Sequence, residues 1–247
     1  MHFKRTLFVA VAAFLGAALV PVEAAAQTQS RQVRLANYGD AGTINTTEYG
    51  TVMASPYQGY FVGDPTTPLI DFFCIDFEHY APPLGTTWRA NVTNLGTGDI
   101  SLTRHAGETG ALTRYRQIAW LLGQRPTVDA ANWRAIQLAV WQTFSGTCQQ
   151  TSRPSYACAR NGDAYLNSMA ASWRTQAGAN YLSADFSHYR IVTGYGSDAG
   201  RQEFMYVTPE PETYVLMGSG LLALFFVWRR RRRRGDELLF ADNFAGF

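Results

Sequence analysis

Cysteine, lysine and charged residues are all scarce in this chain of 247 residues. Only 16% of its residues are charged, which excludes a disordered chain and a coiled coil because both need more charge. Three cysteines are too few for a disulfide-dense miniprotein, and phosphate-binding loops, calcium loops and HExxH patterns are absent. With 47% hydrophobic residues, the chain is expected to form one globular domain.

Basic residues are concentrated at the two ends of the chain. Lys4, the only lysine, and Arg5 lie near the start, and six consecutive arginines lie near the end. Between Gln27 and Glu212 there are 13 arginines against 15 acidic residues. The central region is therefore slightly acidic and offers no basic surface for nucleic acid.

The N-terminus has the pattern of a secretory signal peptide, which we assign to residues 1–26. A short basic start precedes an apolar stretch, Leu7 to Val20, and Ala24 and Ala26 follow in the A-x-A spacing of a cleavage site. The mature domain is therefore expected across the inner membrane, where disulfides persist.

The C-terminal tail combines three features in a fixed order. Pro209, Glu210 and Pro211 end the folded region, since proline cannot continue a helix or strand ladder. An apolar segment follows, predicted as a transmembrane helix over about 213–228 although it is short for a bilayer. The basic cluster that flanks it and sets the cytoplasmic side consists of Arg229, Arg230, Arg231, Arg232, Arg233 and Arg234.

This arrangement over residues 209–234 resembles the PEP-CTERM sorting tail of Gram-negative bacterial proteins. The resemblance implies a membrane-anchored intermediate, processing by an exosortase, and delivery to the cell surface or to an extracellular polysaccharide matrix. Residues 235–247 depart from the pattern, because such tails usually stop soon after the arginines.

The central domain, residues 27–208, is predicted to be α+β, with antiparallel strands and an insertion of two or three helices. Alternating patterns and turn residues predict strands over 33–38, 51–54, 59–62, 69–80, 87–92, 189–193 and 203–207. Helical periodicity predicts helices over 115–122, 130–144 and 164–177. Strands, then helices, then strands are typical of an α+β domain.

The three cysteines divide into a pair and a single residue. Cys148 and Cys158 bracket a short polar loop and are the predicted disulfide. Cys74 is left within the apolar run 72–77, where a free cysteine is often simply a small buried hydrophobic residue. Gln137 falls within the apolar arc of the helix predicted over 130–144, so its amide needs a buried partner, either an ordinary hydrogen bond or a covalent bond.

The segments around these residues resemble the Cys-Gln thioester domains of bacterial surface adhesins. The segments that carry the resemblance are Phe73–Asp76, Ile118–Leu122 and Ala135–Trp141. It implies an internal thioester between Cys74 and Gln137. Ile136 and Val140 depart from the family, which usually has Thr and Ile there.

The resemblance leads to a first hypothesis of covalent attachment to an amine or hydroxyl of a surface or matrix partner. The alternative is a noncovalent structural or exopolysaccharide-binding matrix protein in which Cys74 is inert. We expect no enzymatic activity and no cofactor.

Three other patterns in the sequence point less strongly to a function. His79 follows Cys74 by five residues, which on a continuous strand places the two on opposite faces and disfavours a cysteine protease. A metal site of Asp71, Asp76, Glu78 and His79 is less expected than a solvated strand end. A carbohydrate-binding face is one interpretation of the aromatic residues Tyr57, Tyr60, Phe61, Tyr80 and Trp88. Packing of these side chains in the core of the sheet is the expected one.

Overall fold

The computed structural model describes residues 29–40, 42–54, 56–64, 68–150, 156–208, 218–222, 224–226 and 229. The predicted signal peptide, the segment 209–211, the arginines 230–234 and the extension 235–247 lie outside the described residues. In the tail, residues 218–222 and 224–226 are helical. The described part of the chain contains no helix with the length and apolar character needed to cross a membrane, and the predicted span 213–228 is only partly described.

Six antiparallel strands close into a barrel in the order β1-β4-β5-β8-β7-β6, and two more form a separate hairpin, β2-β3. The barrel strands are β1 (Gln29–Tyr38), β4 (Tyr57–Phe61), β5 (Ile70–Cys74), β6 (Thr87–Asn94), β7 (Tyr189–Gly194) and β8 (Phe204–Val207). The hairpin strands are β2 (Thr43–Thr46) and β3 (Gly50–Met53). Gly59 permits the close pairing of β4 with β1, because a side chain there would meet the backbone of Arg34.

Three helices are inserted between β6 and β7: α1 (Ala111–Gly123), α2 (Ala130–Phe144) and α3 (Leu166–Asn180). The Asp129 side chain caps α2 by accepting a hydrogen bond from the Asn132 amide at 2.8 Å. Short 3-10 turns occupy Leu95–Thr97, Arg125–Thr127, Asn161–Asp163, Tyr181–Ser183, Phe186–His188 and Gly196–Asp198.

Aromatic rings from four strands fill the barrel. Phe72 lies 5.8 Å from Phe61 and 5.5 Å from Tyr206 between ring centroids, and Trp88 lies 5.9 Å from Phe204. The neighbouring side chain on β5, Phe73, instead packs 5.6 Å from Trp133 of α2. Successive residues of a strand point to opposite faces, so β5 joins the barrel interior to the helical layer.

The structure confirms the mixed α+β class with antiparallel strands. Closure of the sheet into a barrel and the strand β2 were not predicted. The single strand predicted over 69–80 is wrong, because β5 ends at Cys74. Beyond it the chain turns so that the buried carboxylate of Asp76 meets the guanidinium of Arg104, with a shortest distance of 2.9 Å, and such a buried charge needs a partner.

Candidate functional site around Cys74

Cys74, the last residue of β5, places its thiol between the barrel and α2. It is 3% exposed, and its Sγ donates to the Asp76 carbonyl at 3.2 Å. The indole Nε1 of Trp141 donates to the same sulfur, also at 3.2 Å. Burial raises the pKa of the Cys74 thiol well above its ordinary value, against the opposing effect of the Trp141 hydrogen bond. The thiol is therefore neutral in the resting protein.

Gln137 reaches the same strand end from α2. Its side chain is 1% exposed, and its Nε2 donates to the backbone carbonyl of Cys74 at 2.8 Å. Its Oε1 is buried without a hydrogen-bond partner among the described residues. Trp141 lies one turn after Gln137 on the helix, so one face of α2 presents both an amide and an indole N–H to Cys74.

A second buried glutamine, Gln142, lies on the same helix and was not singled out from the sequence. Its Nε2 donates to the Ala157 carbonyl at 2.7 Å, and its Oε1 also lacks a partner within the described part of the chain. Ala157 precedes Cys158, which forms the predicted disulfide with Cys148 at an S–S distance of 2.07 Å. Gln142 therefore bonds the residue that precedes a disulfide cysteine, whereas Gln137 bonds the backbone of the free cysteine.

Asp76 organises the loop that follows Cys74. Its carboxylate lies 2.8 Å from Nδ1 of His79 and 2.9 Å from Nε of Arg104. Arg104 also approaches Nε2 of His79, at 3.1 Å. The expectation that His79 and Cys74 lie on opposite faces is wrong, since the strand has ended and both residues line one cavity.

Two of the acidic residues near Cys74 lie against arginines. Asp71 pairs with Arg125, 2.5 Å away, while Asp76 faces Arg104. Among the residues that the structure describes, no group of three or more potential ligands is suited to hold a metal ion. Asp76 is not a solvated strand end, however, because it is only 2% exposed.

A cavity of about 490 Å³ opens above Cys74. Its lining includes the aromatic residues Tyr49, Tyr57, Phe77, Tyr80 and Trp141. The aromatic face weighed from the sequence does not exist as a surface, because Trp88 and Phe61 are buried in the barrel at 1% and 3% exposure. Two of its members, Tyr57 and Tyr80, line this cavity instead.

The hairpin β2-β3 supplies one wall of the cavity and is held by the disulfide-bearing loop. The Thr47 amide donates to the Cys158 carbonyl at 2.9 Å, and the Tyr156 amide donates to the Glu48 carboxylate at 2.9 Å. At the hairpin turn, the Tyr49 ring packs 5.1 Å from Phe77 between centroids. The sequence does not reveal the hydrogen bonds of Thr47 and Glu48 to the disulfide-bearing loop, because they join segments more than a hundred residues apart.

Another buried carboxylate, Glu203, belongs to the barrel and not to the cavity. It is fully buried, and it accepts hydrogen bonds from the Arg104 amide at 2.9 Å, the Tyr115 hydroxyl at 2.7 Å and the Thr193 hydroxyl at 2.5 Å. Burial raises the pKa of Glu203, with these three hydrogen bonds opposing the shift. Glu203 is the first residue of the strand predicted over 203–207 and follows the polar residues Arg201 and Gln202, so the sequence gives no sign that it is buried.

Comparison with known families identifies the C-terminal tail. Residues 207–233 match the family model of the PEP-CTERM protein-sorting motif. The chain carries a PEP-CTERM sorting motif. The PEP-CTERM tail marks it as an exported protein that is anchored in the membrane and processed there by an exosortase. A search of curated proteins and a search of solved structures each found no match for the chain.

Proposed function

We propose that this exported protein attaches covalently to a surface or matrix partner through a thioester between Cys74 Sγ and Gln137 Cδ. One observation carries the proposal: a buried thiol and a buried glutamine amide occupy the same site, with the amide bonded to the backbone of the cysteine itself. This arrangement supports bond formation because the amide is fixed at the backbone of the cysteine and both side chains are shielded from water.

Thioester formation would proceed by attack of the sulfur on the Gln137 side-chain carbon. The S–C bond forms, the C–N bond breaks, and the thiol proton moves to the nitrogen, which leaves as ammonia. The Trp141 N–H, 3.2 Å from the sulfur, would stabilise negative charge on that atom as it develops. The unpartnered Oε1 of Gln137 remains available to accept a donor in the tetrahedral state.

Attachment would reverse the roles of the same atoms. A partner's amine or hydroxyl attacks the thioester carbon, the C–S bond breaks, and the sulfur recovers a proton as the Cys74 thiol. The partner is left joined to Gln137 by an amide or ester bond. Because the thioester is consumed once, the protein would act as a chemical anchor and not as an enzyme.

Intact mass spectrometry of the exported protein tests the proposal. The thioester requires a mass one ammonia below that of the disulfide-bonded chain, and Cys74→Ala must abolish this deficit. Methylamine must then yield an N-methyl amide at residue 137, located by peptide sequencing. A mass equal to that of the plain disulfide form, with no methylamine adduct, would show that no thioester is present.

The second candidate function is noncovalent binding to a matrix polymer, without a thioester. The open cavity with aromatic walls favours it, since such rings stack on apolar faces of sugars, and Tyr80 is 75% exposed. This function needs no ammonia loss, so the same mass measurement separates the two candidates.

A further inference from the structure

The cavity above Cys74 combines aromatic walls with acidic residues. Glu48 and Glu78 are both part of its lining, and none of the described residues that line it is an arginine or lysine. The histidine of the lining, His79, contacts Arg104 through Nε2 and lies 2.8 Å from the buried Asp76 carboxylate through Nδ1. The charge that a ligand meets in the cavity is therefore negative.

The aromatic rings form a continuous wall from the cavity mouth to the sulfur. Tyr80 at the mouth lies 6.0 Å from Tyr49 between ring centroids. Tyr49 lies 5.1 Å from Phe77, and Phe77 lies 5.1 Å from Trp141, whose indole touches Cys74. The faces of such rings carry negative potential and attract cations at distances within about 6 Å.

Two further observations describe the polar groups of the cavity lining. Burial raises the pKa of Tyr49 to about 12, and the neighbouring carboxylate of Glu48 adds to the shift. Gln202, also in the lining, is 9% exposed, and its Oε1 has no hydrogen-bond partner within the described part of the chain. A buried acceptor without a donor destabilises the protein, and a ligand N–H would supply the missing donor.

We infer that the cavity above Cys74 is a recognition site for an alkylammonium group, with the aromatic wall and Glu48 as its specificity determinants. An ammonium carries both the positive charge that the carboxylate and rings attract and N–H donors for Gln202. A neutral alcohol offers only a hydroxyl donor. The site therefore distinguishes amines from hydroxyl groups.

The consequence for attachment rests on the proposed thioester, whereas reversible recognition does not. An ammonium bound in the cavity lies at the entrance to Cys74. After losing one proton to water, it becomes the neutral amine that attacks the thioester carbon. We therefore expect the partner to contribute a primary amine, whether this belongs to a protein side chain or to an amino sugar.

Reversible recognition is measured on full-length Cys74→Ala protein, which cannot form the thioester. tert-Butylammonium chloride is titrated by calorimetry against sodium chloride and against tert-butanol, the neutral molecule of the same shape. We expect saturable binding of the cation only. Tyr80→Ala and Glu48→Gln should each weaken binding by about two- to fivefold, whereas the controls Tyr165→Ala and Asp40→Asn should not change it. Absence of saturable cation binding, or equal binding of the alcohol, would overturn the inference.

Acyl transfer is measured separately on the protein with Cys74 intact. Methylamine and methanol compete for residue 137, and Glu48→Gln should lower the amine-to-alcohol product ratio by a similar factor, with Asp40→Asn as control. An unchanged ratio would contradict the role of Glu48. Cation binding without either adduct would reject the thioester and leave the recognition site standing. Chitosan oligomers and a lysine peptide then distinguish the amino-sugar source from the protein source.

Discussion

Helix α2 buries two glutamines that make the same hydrogen bond in different surroundings. Gln137 and Gln142 each donate from Nε2 to a backbone carbonyl, at 2.8 and 2.7 Å, and each leaves Oε1 without a partner among the described residues. The first amide bonds the backbone of the free cysteine, whose sulfur accepts an indole N–H, and the second bonds a disulfide-closed loop. A buried amide with one unused acceptor is therefore no sign of chemistry by itself. The neighbouring nucleophile makes the difference.

The largest expected effect comes from replacing each glutamine in turn with leucine, which is similar in size and has no amide group. Gln137→Leu should abolish the ammonia deficit completely, because it removes the carbonyl that sulfur attacks. Gln142→Leu should keep the deficit in full. Intact mass of both proteins measures the outcome, and circular dichroism verifies that each is folded. Loss of the deficit in both variants would mean that the two sites are not chemically distinct.

Removal of the disulfide between Cys148 and Cys158 tests the surroundings of Gln142. The double variant Cys148→Ala, Cys158→Ala should lose about 2.5–3 kcal/mol of unfolding free energy, because a short loop is no longer closed in the unfolded chain. Urea denaturation measures this loss. The ammonia deficit should remain, since the hairpin that walls the cavity keeps its hydrogen bonds to residues 156–160. If the deficit vanishes in a folded double variant, the two sides of the helix are coupled.

Local pattern predicted the helix α2 with its bounds, and it placed Gln137 on the buried face. The disulfide pair also followed from the sequence, because its two cysteines bracket one short loop. The cavity did not follow, because its walls come from the hairpin, the loop after β5 and Gln202. Those segments are brought together by long-range contacts, such as the hydrogen bond from Gln202 to the Asp76 carbonyl at 2.7 Å. Nor did barrel closure follow, since hydrophobic alternation specifies faces and not which strands pair.

A smaller effect is expected from removing the hydrogen bond that the Trp141 indole N–H donates to the Cys74 sulfur. Trp141→Phe keeps an aromatic ring but removes the donor to Cys74, so methylamine incorporation should slow about 10- to 160-fold for a bond worth about 1.5–3 kcal/mol in the charged state. Trp133→Phe, two turns earlier, is the matched control, because its Nε1 donates to the Ala54 carbonyl at 3.0 Å. Equal slowing in the two variants would assign Trp141 a packing role only.

The smallest effect concerns Glu203, which contrasts with both glutamines because its oxygens accept three hydrogen bonds. Burial raises the pKa of its carboxyl above the unfolded value, so the folded protein holds this proton more tightly than the unfolded chain. Its contribution to stability is therefore full below the ordinary glutamate pKa and falls as pH rises toward the raised value. The Glu203→Gln variant cannot ionise at this position. Over this pH range the unfolding free energy of the wild type should therefore fall relative to that of the variant. Urea denaturation of both proteins over this pH range measures the effect. If the two unfolding free energies change with pH in the same way, the three hydrogen bonds fully offset the effect of burial on the Glu203 pKa.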